Sequence, residues 1–153
     1  MPVAFHEFIV LPVEGSPFVL NGLFKADDKK SLPVLQKAVE GYIEEFSRKD
    51  FVVHPLFCES NPRWALAERI RKLSKTKVYV NDDGRNLCSV NVGTIISEKM
   101  RFGGCPHLFG NVVLVAYQSD LAKAGISTAD LRKRDEEEED EDDDDDDADT
   151  TTA

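Results

Sequence analysis

An α+β fold is predicted: a small mixed, mainly antiparallel sheet with three or four short helices, followed by a disordered acidic C-terminal tail. Three observations predict it. Short apolar runs such as Val112-Val113-Leu114-Val115-Ala116 alternate with Gly, Pro and Asn punctuation, the pattern of strands between turns. Two other stretches carry helix caps followed by apolar residues three and four apart. The segment Asp135 to Asp149 holds 14 acids and no base, broken only by Ala148. Such a block repels itself and buries nothing that could offset the entropy of ordering it.

The elements follow in chain order. Phe5 to Val13 reads as a first strand, and Gly15-Ser16-Pro17 turns the chain so that Phe18-Val19-Leu20 can pair back on it. Asp27 to Lys30 is a polar loop leading to Ser31 as N-cap. The helix that follows places Leu32, Leu35 and Val39 on one side and ends at Gly41. Tyr42-Ile43-Glu44 leaves it as a strand. Phe51 to His54 with Leu56-Phe57 suits another strand, held to an edge or bulge by Pro55. Asn61 then caps the clearest helix, with Pro62 at its first position and Leu66, Ile70 and Leu73 as its apolar stripe. Val78 to Val80 and Leu87 to Val90 read as a β-hairpin around Asn81-Asp82-Asp83-Gly84. Asn91 is read as starting a helix through Ile95 and Ile96, and Phe102 to Leu108 as a loop. Gly110-Asn111 introduces the final buried strand. A short helix after Ser127 ends in Arg132-Lys133-Arg134.

Charge divides the chain in two. All 19 Lys and Arg lie at or before Arg134, together with 15 of the 29 acids, so residues 1–134 carry +4 and residues 135–153 carry −14. The net −10 and the pI near 4.7 describe the tail and misdescribe the body. The 153 residues suit one folded domain over 1–134 plus the tail. Three cysteines are an odd number without paired spacing, no secretory signal is read, and no apolar stretch approaches the ~20 residues that cross a bilayer. An intracellular setting, cytoplasmic or nuclear, is expected, with no membrane contact.

Leu35-Gln36, Val39-Glu40-Gly41-Tyr42-Ile43-Glu44, Val80-Asn81-Asp82-Asp83-Gly84, Asn91 and Gly110-Asn111-Val112-Val113-Leu114-Val115 together resemble a small domain-of-unknown-function family. That family occurs in bacteriophages, bacterial mobile elements and large DNA viruses of algae. The resemblance spans roughly Phe5 to Ala116 and implies a small α+β module with a viral or mobile-element source, and no activity. Residues 47–77 depart from the pattern and read as an inserted segment carrying a basic helix. The tail is a further addition.

Four groups of residues are candidates for chemistry. Cys58, Cys88, Cys105 and His107, with His54 nearby in type, have the softness for zinc. Only Cys105-Pro106-His107 is a close pair, however, and free cysteines commonly pack as small hydrophobes, so no metal and no cofactor is the preferred reading. A Cys–His enzyme using Cys105, His107 and the glycines of Phe102-Gly103-Gly104 lacks any local nucleophile or phosphate-loop signature. Asp82 and Asp83 read as solvated turn acids. In the helix from Pro62 to Lys75, a spacing of ~100° per residue sets Trp64, Arg71 and Lys75, flanked by Lys72, opposite the apolar stripe. There a Trp could stack on a base while the cations meet phosphate, although a first-turn Trp also folds back onto a neighbouring loop, and burial is the preferred reading of Trp64.

The tail is the strongest compositional signal. From Asp135 and Glu136 through Asp142 to Asp147, neighbours at most ~3.6 Å apart put several charges inside one Debye length of ~8 Å. It behaves as a polyelectrolyte. It can engage a basic protein, fold back on the basic face of its own body, or serve solubility alone. Nucleic acid is a weaker candidate partner. The expectation is a small non-enzymatic binding or regulatory module. An accessory enzyme or nucleotide-binding domain, or a virion assembly protein, stands as the alternative.

Overall fold

Strand alternation sorts the apolar residues onto the two faces of one antiparallel sheet. The structure, a computed structural model, describes residues 5–20, 24–25 (backbone only), 31–101 and 104–132. The predicted tail, the Asp27–Lys30 loop, Phe102-Gly103 and Lys133-Arg134 lie outside the described residues. The main sheet has the order β2-β1-β10-β6-β4, from β1 (Phe5–Leu11), β2 (Phe18–Val19), β4 (Ile43–Phe46), β6 (Lys77–Asn81) and β10 (Val112–Tyr117). A short β3 (Phe24–Lys25) also pairs with β1. Every strand pairing is antiparallel among the described residues, and the fold is α+β.

Because side chains alternate along a strand, Phe8, Val10, Val113 and Val115 point to one face. There α1 (Ser31–Val39) buries Leu35 and Val39 against them. Ile9, Leu11, Val112, Leu114, Val78 and Val80 point to the other face, under Phe51, Trp64, Ala67 and Ile70. Covered on both sides, the central β10 consists of consecutive buried residues from Val112 to Ala116.

Two long excursions leave the sheet and meet above its second face. Between the adjacent strands β4 and β6 run a 3₁₀ turn (Arg48–Asp50), β5 (Phe51–Val53), α2 (Pro55–Ser60) and α3 (Pro62–Arg71). Between β6 and β10 run α4 (Gly84–Leu87), β7 (Val90–Asn91), β8 (Thr94–Ile96), a second 3₁₀ turn (Glu98–Met100) and β9 (Leu108–Phe109). The excursions join through β5–β8 pairing, Phe51 opposite Ile96, while β7 pairs with β9. Finally α5 (Gln118–Lys123) and a helical turn at residues 129–132 close that face with Leu121, Ile126 and Leu131.

Several expectations are corrected. Leu56-Phe57 is helical: Pro55 is preset for a first helical position, and the His54 imidazole accepts the Leu56 N–H as a cap. The Val78–Val90 hairpin does not form, since the Asn81 side chain accepts the Asp83 N–H and starts a helical turn that leads the chain off the sheet. Thr94-Ile95-Ile96 is a strand: its β-branched residues pair with β5, and the Asn91 side chain is committed to a turn. The helix α5 was not foreseen. The left-handed residue ending α1 is Glu40 (φ 65°), one before Gly41, with the Gly41 N–H bonded to the Gln36 carbonyl. Gly41 is needed for space, because a Cβ there would lie 2.5 Å from Asn81 Nδ2.

Three asparagines close this fold. Asn81 Nδ2 donates to the Val39 and Glu40 carbonyls, at 3.0 and 3.2 Å. Asn91 Nδ2 donates to the Leu11 and Gly110 carbonyls, both at 3.0 Å, and its Oδ1 accepts the Gly93 N–H. Asn111 bridges Val13 N–H and the Ala38 carbonyl. Each carboxamide ties together backbone from separate elements, at the ends of β1 and α1 and in the turns between strands.

Candidate anion-binding surface

The basic helix of the sequence ends early and turns differently. α3 stops at Arg71, and Thr76 Oγ1 donates to the Ile70 carbonyl behind it. Its buried residues are Trp64, Ala67, Ile70 and Arg71, while Leu66 and Leu73 are only partly buried. Of the predicted stripe Leu66, Ile70 and Leu73, Ile70 is fully buried, and Trp64 and Arg71 from the face placed opposite it are buried as well.

Trp64 is 4% exposed, meets Phe57 edge-on at 5.2 Å between centroids, and presses on Gly93, where a Cβ would come within 2.4 Å of the indole. It is core, as the preferred reading had it, and is removed as a stacking residue. Arg71 is 6% exposed. Its Nε and Nη2 grip the Glu68 carboxylate at 2.6 and 2.7 Å, Nη1 donates to the Arg48 carbonyl at 2.6 Å, and the guanidinium lies over the Phe51 ring. With all three of its nitrogens bonded inside the protein, Arg71 is also removed as a phosphate ligand. Lys72 and Lys75 are exposed.

What Arg71 does is hold two turns together. By binding the Arg48 carbonyl it fixes the β4–β5 turn to the α3–β6 turn, and Arg48 Nη1 returns a bond to the Lys72 carbonyl at 3.4 Å. Arg48, Lys49, Lys72, Lys75 and Lys77 are thereby gathered at one end of the molecule. Four of them are exposed and Arg48 is half-buried. Two concavities flank Lys77. An open one of about 480 Å³ is bordered by Arg48, Lys49 and Ser74, with Glu45 as its acid. A smaller one of about 230 Å³ lies on the α1 face of the sheet among His6, Lys75, Lys77, Tyr79 and Tyr117. Burial pushes the Tyr79 phenol up, against the opposing pull of Lys77. Sequence reasoning followed cations along a helix and so missed Arg48, Lys49 and Lys77. Their signal was position: each sits at the edge of a strand or turn at the same end of the sheet.

The cysteines do not converge. Among the described residues no group of three or more His, Cys, Asp or Glu could hold a metal ion. Cys58 lies against the Trp64 carbonyl at 3.9 Å, and its thiol is pushed up by burial and then by Glu68. Cys88 is pushed up by burial and then by Glu40. Cys105 and His107 do share a cleft of about 780 Å³ with Asp82 and Asp83. They are not paired: Cys105 Sγ faces the His107 carbonyl at 3.8 Å, and His107 Nδ1 faces the Thr94 carbonyl at 2.6 Å. Asp83 accepts from Asn86 Nδ2 at 2.6 Å and belongs to the turn.

The C-terminal end of the described chain is tied down beside α3. Glu7, 6% exposed on the α3 side of β1, accepts from Arg132 Nη2 at 2.6 Å and from Thr128 Oγ1 at 2.9 Å. Arg63, in the first turn of α3, donates to the Leu131 carbonyl at 3.3 Å. The acidic sequence thus begins three residues after a point fixed to both β1 and α3.

Comparison with protein-family models, curated proteins and solved structures finds no match to this chain. No helix among the described residues is long and apolar enough to cross a membrane.

Proposed function

We propose that this chain is a non-enzymatic binding module whose basic end takes a polyanion, nucleic acid in the first instance, and whose own acidic tail competes for that end. The observation that carries the reading is the gathering of Arg48, Lys49, Lys72, Lys75 and Lys77 on two turns locked together by Arg71. Unlike Arg71, these cations project where phosphates can reach them.

The position of the tail's root supports competition within the chain. Leu131 is bonded to Arg63, and nine helical steps of ~1.5 Å separate Arg63 from Lys72, or about 14 Å. The 19 residues from Asp135 to Ala153 can extend to roughly 60 Å at ~3.3 Å per residue, so the basic end is within reach. Tethering sets the tail's effective concentration on the order of millimolar. A basic protein meeting the same tail in trans would release the body's cations, making the tail a partner-sensitive mask. An intracellular setting suits this chemistry, and the resemblance to phage, mobile-element and algal-virus domains suits a host cell rich in both nucleic acid and basic proteins.

The test compares the full chain with one lacking Asp135 to Ala153. Titrated with fluorescent nucleic acid at low salt, the shortened chain is expected to bind more tightly and to lose affinity more steeply as salt rises. The full chain is expected to retain basic proteins at low salt and release them at high salt. A shortened chain that binds no nucleic acid at low salt refutes the proposed polyanion surface.

A further inference from the structure

The smaller concavity beside Lys77 has a composition that bare phosphate binding does not require. On the α1 face of the sheet, strand register sets Phe8, Val115 and Lys77 in one row and His6 opposite Tyr117 in the next row outward. Lys77 and Tyr79 share this face because they are two residues apart on β6. Leu35 and Ser31 of α1 overhang the inner end of the hollow, and Lys75 borders it from the α3–β6 turn. The floor is therefore the strip of sheet that carries His6, Phe8, Lys77, Tyr79, Val115 and Tyr117. His6 and Tyr117 lie 4.5 Å apart between ring centroids on it, tilted by 55°. Both rings and that of Tyr79 are half-buried.

We propose that this hollow binds single-stranded nucleic acid by taking in one unpaired base against Tyr117 and His6, with Tyr79 two rows further in as its inner border, while Lys75 and Lys77 hold the adjoining phosphates. The inference rests on the reading of the basic end as a polyanion surface, and it names the form of nucleic acid that surface selects. Size and chemistry favour a single strand. A hollow of about 230 Å³ admits one ring system and not a duplex, and a base inside a duplex has both faces covered by its neighbours. An unpaired base offers a free π-face, and aromatic side chains beside a cationic track are how sequence-tolerant single-strand sites are built. The open concavity on the far side of Lys77, with Arg48 and Lys49, continues the cationic track without rings. Backbone contacts there bind either form of nucleic acid; the rings discriminate between them.

The test uses the full-length chain at low salt, titrated with a fluorescent oligothymidine and with a duplex of the same length. The intact chain is expected to prefer the single strand. Tyr117→Leu keeps apolar bulk on β10 but removes the flat ring. It is expected to weaken single-strand binding roughly five-fold or more and to leave duplex binding within about two-fold. Tyr117→Phe is expected to bind as the unaltered chain does. If Tyr117→Leu leaves single-strand affinity unchanged while Lys49→Ala and Lys72→Ala weaken both ligands, the stacking site is wrong and the basic-end reading stands. If neither lysine substitution weakens either ligand, the basic-end reading itself fails. A measurement that needs no substitution accompanies these: ultraviolet crosslinking of a bromouracil strand to the unaltered chain. Crosslinks mapped to His6, Tyr79 or Tyr117 are expected, and crosslinks confined to other residues overturn the site.

Discussion

Neutralising single cations at the basic end gives a quantitative prediction. Each phosphate neutralised by a lysine or arginine releases condensed counterion, so log affinity falls with log salt at a slope of about −0.7 per contact for a single strand. The end presents Arg48, Lys49, Lys72, Lys75 and Lys77. If all five engage, the slope is about −3.5, and affinity falls roughly a hundred-fold between 50 and 200 mM salt. Lys49→Ala or Lys72→Ala should each make the slope shallower by somewhat less than one and weaken binding regardless of sequence. Arg71→Met should behave otherwise. It leaves the Glu68 carboxylate with the Val53 N–H and no cation in place of the guanidinium, costing about 3 kcal/mol of stability in the range typical of broken buried pairs. Below its lowered melting temperature it should keep the slope, since no phosphate contact is lost, while affinity falls as the two turns it ties together loosen. The assay is fluorescence anisotropy across a salt series, run on the chain with and without its tail. With the tail, a body–tail affinity of about 0.1 mM against millimolar effective concentration weakens outside binding about ten-fold. Salt relieves that competition, so the full chain's slope should be the shallower. Equal affinities and slopes with and without the tail refute masking. An Arg71→Met slope reduced like that of Lys72→Ala refutes the assignment of Arg71 to the interior.

Three further predictions concern the body. Arg132→Met should destabilise the chain more than Glu7→Gln, because it strands a buried carboxylate with only Thr128 and Gln118 as side-chain partners. Losses of about 3 and about 2 kcal/mol are expected in denaturant titrations, and the reverse order would show that Glu7 is not held as a charged group. Gly93→Ala should cost about 1–3 kcal/mol by forcing the Trp64 ring to move, read as a fall in melting temperature with a shift in Trp fluorescence; an unchanged spectrum would contradict the contact. Cys58 and Cys88, with thiols raised by burial and by acids, should alkylate slowly near pH 8 and faster as pH climbs past 9, when thiolate forms. Peptide mapping checks this, and a rate that is flat with pH would refute the raised thiols.

Legibility followed the range of the interaction that decides each feature. β1, β2, β4 and β10, α1, and the Asn61-Pro62 start of α3 were readable because apolar alternation and local caps specify them within a few residues. Thr94-Ile95-Ile96 was misread because its partner, Phe51-Val52-Val53, lies more than forty positions earlier in the chain. Leu56-Phe57 was misread because its β propensity was outweighed by Pro55 and a His54 cap that few sequences use. The candidate site was half legible. Lys72 and Lys75 were identified on the right side of the molecule, but by a helical projection that fails once the helix stops at Arg71. Arg48, Lys49 and Lys77 join them only because a guanidinium reaches across 23 positions to a carbonyl.

By itself the sequence determined the α+β class, the strands of the central sheet and the division of charge between a +4 body and a −14 tail. These depend on composition and on neighbours along the chain. Only the tertiary structure decided which cations are exposed and which are struts, for burial and hydrogen-bond partners decide that and neither is a local property. Arg71, read as a phosphate ligand, is held inside by Glu68 and the Arg48 carbonyl, and Trp64, for which burial was preferred, by Phe57 and Gly93. Tyr79, Tyr117 and His6, from three separate strands, line one hollow only because antiparallel pairing sets β1, β10 and β6 side by side.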